Sequence, residues 1–294
     1  MTSGNSRCHP PSIAICPVCM SGNTDMYIEK SFHTFKSTWF RCGEDGTLFI
    51  SPFPALNELD RYYKTGYITK KSPGAVSHRF RFSEENKKTV FREYEMSLSD
   101  VGVTFSMLRD KKILDYGCAN GFFLDCCFTN GCRKRDLCGY DIANDLLTIV
   151  RSKRYNILAE ERDYFDFVFL WDVIEHIPDP HRLLEKLKSL LGRNGSIIVQ
   201  TPRVGILSET LKETWEHILP LEHLVLYSRE SLLYLFEKFE FHPIKAWSFG
   251  GNAPSDIIPN PYKNAYDTLA KRTDNGSTQV VQFIPRKTGG KRKG

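Results

Sequence analysis

The chain has 294 residues, 41% of them apolar, and a formal charge of +5. That length suits one sizeable α/β domain with a smaller appendage, and the apolar share is enough for a core. No run approaches the roughly 18 apolar residues of a membrane span, and the opening MTSGNSRCHPPSIAIC has no apolar signal segment, so the expectation is a soluble cytoplasmic protein without membrane contact.

The charge is unevenly spread. Residues 260–294 hold eight Lys/Arg against two Asp/Glu, a balance of +6 that leaves the rest of the chain near neutral at −1. A basic face of the kind nucleic-acid enzymes carry is not evident, and nucleic acid is not an expected partner. Nine cysteines is an odd count in a chain too large to need staples, which points to reduced thiols or metal ligands. Cys126, Cys127, Cys132 and Cys138 read as small core residues.

In chain order, residues 1–55 form a cysteine-bearing extension in which MYIEKSFHTFKSTWFRC alternates enough for a hairpin. Residues 56–110 read as a helical cover, with NELDRYYKTG and SEENKKTVFREYEMSLSDV as its helices. From Lys111 to residue 259 strands and helices alternate. KILDYG is a strand, 121–130 a helix, LCGYDI a strand, NDLLTIVRSK a helix, YNILAE and FDFVFLWDV strands, DPHRLLEKLKSLL a helix and GSIIVQTP a strand. SRESLLYLFEKFEF adds a helix and HPIKAWSFGG a last strand, leaving 260–294 as a disordered basic tail. This alternation predicts an α/β fold, a doubly wound, mostly parallel sheet whose ligands sit beyond the carboxyl ends of the strands.

The turn in ILDYGCANGFF decides between ligands. Its glycines do not make G-x-G-x-x-G, and no Gly-Lys-Ser/Thr follows, so neither a dinucleotide nor a P-loop phosphate is indicated. Asp115 at its mouth would repel a pyrophosphate and suits a cationic group such as an amino-acid ammonium. S-adenosylmethionine carries one, attached to a nucleoside.

Taken together, ILDYGCANG, GYDI, FDFVFLWDVIEHIPDP and GSIIVQTP, in this order over residues 111–202, resemble the class I S-adenosylmethionine-dependent methyltransferases, whose fold is Rossmann-like. The resemblance implies a cofactor site formed by Asp115, Gly117, Cys118, Asn120, Gly121, Phe122, Asp141, Ile142, Trp171 and Asp172. Asp141 is placed to accept ribose hydroxyls, or to cap the helix that follows it. Trp171 belongs to the ligand edge or to the core. Ala119 stands where the family often has glycine, and Glu160 and Glu161 are candidates for adenine contacts.

Further segments, LFISPFPALNELDRYYKTGYITK and EHLVLYSRESLLYLF, resemble a subgroup with a cysteine-bearing extension that includes sugar C-methyltransferases. There an EH pair after the fifth strand is tied to proton removal; Glu222 and His223 match it, with Pro220 where the pattern often has tyrosine. Glu175 and His176 match a second EH pair shared with ubiquinone-type O-methyltransferases, and His176 either packs over the cofactor or acts as a base. The expected acceptor is a small metabolite, sugar or polysaccharide precursor, methylated on carbon or oxygen beneath a cover carrying Tyr63 and Tyr67. The rival readings are an RNA methyltransferase with a zinc module and a non-catalytic cofactor-binding scaffold.

Cys16 and Cys19 have metal-knuckle spacing, and Cys42 follows the hairpin. A structural zinc takes four ligands. Asp45 occupies the place of a fourth cysteine, and Asp45, His33, Cys8 or His9 would complete a zinc-ribbon-like site of structural rather than catalytic kind.

Overall fold

The computed structural model describes residues 14–32, 35–64, 81–158, 164–219, 221–250 and 260–286. Cys8, His9, His33, Tyr67, Glu160, Glu161 and Pro220 lie outside the described residues, as does the end of the chain from 287.

The extension is a hairpin of β1 (Thr24–Phe32) and β2 (Phe35–Cys42), followed by β3 (Leu48–Ile50) antiparallel to β2. Trp39, Leu48, Phe49 and Ile50 are buried, which fixes the register. Helix α1 (Leu56–Lys64) turns Leu59 inward, and α2 (Lys87–Asp100) buries Val90, Tyr94, Ser97 and Leu98 along one stripe. A single turn, α3 (Phe105–Leu108), leads into the sheet.

The central layer is built from β4 (Ile113–Tyr116), α4 (Phe122–Thr129), β5 (Leu137–Tyr140), α5 (Asn144–Ser152), β6 (Asn156–Ile157), β7 (Phe165–Trp171), α6 (Pro180–Leu190) and β8 (Leu191–Val204). The strands β6, β5, β4, β7 and β8 lie side by side and parallel. Those at the centre are apolar on both faces because helices cover both sides. Pro180 sits in the first turn of α6 and the Asp179 carboxylate accepts from Arg182 N at 3.0 Å, so the sequence DP marks that helix start.

Helix α7 (Ile206–Leu211), β9 (Val225–Ser228), α8 (Arg229–Lys238), β10 (Phe241–Phe249), α9 (Asn260–Arg272) and β11 (Thr278–Pro285) complete the chain. Strand β11 lies between β8 and β10, antiparallel to both. At Arg203 and Val204 the sheet branches: β9 pairs there in parallel with β8, and β3 pairs antiparallel with β9. The extension is thereby joined edge to edge with the main sheet.

Two expectations are corrected. HPIKAWSFGG is the penultimate strand, and residues 260–286 of the expected disordered tail form α9 and β11. Val280, Val281 and Phe283 are fully buried, as a strand with neighbours on both sides requires. The basic end of the chain masked this short apolar run in the composition. No helix among the described residues is long and apolar enough to cross a membrane.

Candidate functional site

The turn after β4 is sewn to the end of β5. The N–H groups of Gly117 and Cys118 both donate to the carbonyl of Tyr140, at 2.7 and 2.9 Å. Gly117 has φ +84°, and a Cβ there would come within 2.4 Å of Val173 Cγ2, so only glycine fits. Asp141 closes the turn from the other side: Oδ2 accepts from Ala119 N at 2.9 Å and Oδ1 from Ala143 N at 2.8 Å. It therefore holds the loop that opens α5, while each oxygen keeps a lone pair for a ligand. Asp115 is buried beneath the turn, and its Oδ1 has no hydrogen-bond partner among the described residues. Burial, and then the charge of Asp141, push the Asp115 carboxyl well above the usual carboxylate range. A buried carboxyl whose Oδ1 lacks a partner among the described residues, beneath this turn, suits a ligand that brings a positive charge and favours its ionised form.

A cavity of about 930 Å³ opens over this turn. Gly117, Asp141, Ile142, Trp171 and Asp172 line it, together with Ala119, Tyr116 and Tyr140. Asp115, Cys118, Asn120, Gly121 and Phe122 do not reach its wall. The Cys118 thiol is buried against Gly139, the Asn120 amide donates to the carbonyl of Phe82 at 3.1 Å, and the Phe122 ring packs edge-on against Phe82 and Phe91. They shape the cradle from behind, because a turn entering a helix directs alternate residues into the core. Trp171 belongs to both core and cavity wall. Its ring stacks on Phe169 at 5.5 Å within the core, yet its edge borders the cavity.

Asp172 accepts from Gln200 Nε2 at 3.1 Å, and Gln200 Oε1 accepts from the Ser97 hydroxyl at 2.8 Å. Burial raises the Asp172 carboxyl, opposed by Arg81 and Gln200. Ser97, Gln200 and Arg81 were not anticipated as site residues. The available signal was Gln200, a polar residue closing the apolar run of β8.

The same cavity is lined by Tyr63, Glu175, His176, His217, Glu222 and His223. Glu175 and His176 lie in the tight turn after β7, and Leu224 N donates to the Glu175 carbonyl at 2.7 Å, drawing the start of β9 against that turn. His176 Nδ1 is 2.7 Å from the carbonyl of Glu222 and 3.2 Å from the Tyr63 hydroxyl. The two imidazoles of His176 and His223 meet edge to face, 4.9 Å between centroids. His223 Nδ1 donates to the carbonyl of His217 at 2.7 Å, so the backbone orients this ring. The Glu222 carboxylate instead accepts from the Tyr62 hydroxyl at 2.6 Å, a partner the sequence did not announce. Burial holds His223 well below the ordinary imidazole range, with His176 and His217 adding to the effect, and it lowers His217 to about 4. Both rings are therefore neutral near pH 7. Burial, and then Asp172, raise the Glu175 carboxyl well above its usual range.

In the extension, Cys16, Cys19, Cys42 and Asp45 converge, with candidate ligand atoms within 4.8 Å of one another. Cys19 and Cys42 have their sulfurs 3.4 Å apart, and Cys16 Sγ is 3.6 Å from Asp45 Oδ2. Asp45 Oδ1 is fixed by Thr47 N at 2.9 Å, leaving Oδ2 toward the thiols. Burial pushes the Cys19 thiol up to about 11 and Cys16 higher still. Three sulfurs and one carboxylate oxygen at these separations fit a tetrahedral zinc. Cys126, Cys127, Cys132 and Cys138 are buried, as their neighbours in sequence suggest.

A family described as a methyltransferase domain matches residues 83–246. Among curated proteins, the ubiquinone biosynthesis O-methyltransferase of Glaesserella parasuis is 28% identical over 109 residues, 31% of this chain and 45% of that protein. The same enzyme of Paraburkholderia phymatum is 26% identical over 108 residues, 32% of this chain and 45% of that protein. The match thus spans less than half the length of these relatives. Among solved structures, a chain in the complex of the Haloferax volcanii Trm112 methyltransferase activator superposes with a TM-score of 0.52 at 13% identity, covering 71% of this chain and 97% of that one. The magnesium protoporphyrin IX methyltransferase of Synechocystis PCC 6803, with bound S-adenosylhomocysteine, gives 0.50 at 12% identity, with 78% and 98% covered. At these identities the structures show a shared fold.

Proposed function

The chain belongs to the class I S-adenosylmethionine-dependent methyltransferases, and from that premise we propose that it methylates a hydroxyl oxygen of a small metabolite, a class that includes sugars and polysaccharide precursors. One observation carries this reading. The cavity over the glycine cradle is also lined by His176 and His223, each with Nδ1 committed to a carbonyl and therefore with a lone pair on the other nitrogen of the neutral ring. The O-methyltransferase names of the curated relatives favour oxygen over carbon.

S-adenosylmethionine supplies a methyl on a positively charged sulfur; the O–CH₃ bond forms as the S–CH₃ bond breaks and sulfur keeps the electron pair. Asp115 lends negative charge beneath the turn, Asp141 accepts ribose hydroxyls with its remaining lone pairs, and Ile142 and Trp171 supply apolar wall. Holding the reactants in line is the main task of such a site, worth about 7–11 kcal/mol. His223 takes the acceptor's hydroxyl proton, a contribution of about 10²–10⁴ in rate. His176 and Glu222, steadied by Tyr63 and Tyr62, border the acceptor. The carboxylate and thiols of Cys16, Cys19, Cys42 and Asp45 hold a structural zinc in this reading.

The test has two stages. A rise in thermal midpoint with S-adenosylmethionine, lost in Asp115→Asn, is expected; at 100 times its dissociation constant a ligand adds about 2.7 kcal/mol. Hydroxylated acceptors are then screened with labelled methyl. Unchanged single-turnover rates in His223→Ala would remove His223 from its role.

A further inference from the structure

Three side chains at the acceptor end are arranged for more than proton transfer. Candidate ligand atoms of Glu175, His176 and His223 lie within 4.8 Å of one another. Both imidazoles give their Nδ1 protons to carbonyls, of Glu222 and His217, at 2.7 Å. Glu175 is fully buried; its Oε2 accepts from the Thr201 hydroxyl at 2.9 Å, and its Oε1 has no hydrogen-bond partner among the described residues. Each neutral ring thus keeps a lone pair on Nε2, and the Glu175 carboxylate keeps an oxygen without a hydrogen-bond partner among the described residues.

We propose that Glu175, His176 and His223 bind one divalent transition-metal ion at the wall of the acceptor cavity. Two imidazoles and a carboxylate form a ligand set suited to the manganese-to-zinc series. The carbonyls that fix both Nδ1 atoms, and the Thr201 hydroxyl on Glu175, are the outer contacts that orient such ligands. Three protein donors leave coordination positions open, and all three residues line the cavity, so an acceptor oxygen can occupy one. The inference rests on the reading that the acceptor hydroxyl is activated at this cluster, and it changes how. With the ion present His223 is a ligand; the metal-bound hydroxyl breaks its O–H bond, the electron pair stays on oxygen, and the proton passes to the Glu222 carboxylate on the same cavity wall.

Manganese(II) separates this site from the cysteine knuckle, since thiolates favour zinc and the harder ion favours oxygen and nitrogen. Full-length protein is stripped with a chelator, given one equivalent of zinc, and titrated with Mn²⁺ while the electron paramagnetic resonance signal of free ion is followed. One Mn²⁺ per chain is expected, with affinity lowered about tenfold or more in Glu175→Gln and His223→Gln, and with methyl transfer stimulated by the ion. Circular dichroism and a retained thermal shift with S-adenosylmethionine separate a lost ligand from a lost fold, and His176→Gln serves if either variant fails to fold. If saturating Mn²⁺, Co²⁺ and Zn²⁺ give no second bound ion while wild-type protein binds S-adenosylmethionine and transfers methyl, the metal site is overturned and the histidine base stands. Failure of wild-type protein to bind S-adenosylmethionine overturns both.

Discussion

The hydroxyl of Tyr62 donates to Oε1 of Glu222 at 2.6 Å, linking positions 160 residues apart. Helix α1 is thereby tied to the loop that carries His223. A hydrogen bond to a charged group contributes about 1.5–3 kcal/mol. Tyr62→Phe is expected to lower kcat/KM for the acceptor about tenfold or more through this contact, while the dissociation constant for S-adenosylmethionine stays the same. Steady-state kinetics beside calorimetry would show the split, and an equal loss at both ends would contradict it.

Binding of the cofactor is expected to depend on pH through Asp115. In the ligand-free fold this carboxyl is raised well above 3.8, so its contribution to stability is present below that value and fades as pH climbs through the raised one. A cationic ligand prefers the ionised form. Affinity therefore strengthens as pH rises from 3.8 through the raised value, and binding inside that window releases a proton. Calorimetry in two buffers of different ionisation enthalpy measures the release; Asp115→Asn should abolish it, and identical heats for wild-type protein would refute the link.

Gly117→Ala places a methyl group against Val173 in a left-handed backbone conformation. Backbone strain and overpacking together predict a loss of roughly 2–5 kcal/mol. Urea unfolding gives the number, and a loss below 1 kcal/mol, within about the range of an ordinary surface substitution, would mean that the turn yields easily.

The knuckle is expected to carry one zinc per chain by elemental analysis. Cys42→Ser should lose it and lower the thermal midpoint, and Asp45→Asn should weaken it with the fold retained. Metal-free protein with an unchanged midpoint after chelation would reassign the cluster as a plain thiol core.

Much of the sheet was legible because its signals are local. The run ILDYG, the helix cap at Asp179 and the alternation of apolar segments each state their structure within a dozen residues. Asp45 was also legible, since it stands at the spacing of a second cysteine pair. The links Tyr62 to Glu222 and Ser97 to Gln200 were not, because they join residues 160 and 103 positions apart. Neither leaves a periodicity to detect. Strand β11 was lost for another reason: a short apolar run beside a lysine-rich end is outweighed in any composition of that window.

The branch at the end of β8 makes the extension a support of the cavity wall. Cys42 ends β2; β3 follows, and Ile50 N donates to the Leu224 carbonyl at 3.1 Å, while Leu224 N donates to the carbonyl of Glu175 at 2.7 Å. Tyr27 and Lys30 of the hairpin donate to the carbonyls of Ser208 and Glu213, clasping the connection that leads to His223. Trimming the first 55 residues would strip β9 of its outer neighbour and leave a raw strand edge beside the acceptor pocket. The extension acts as a buttress, and its removal should loosen the acceptor end while the glycine cradle, on the far side of β8, keeps its shape.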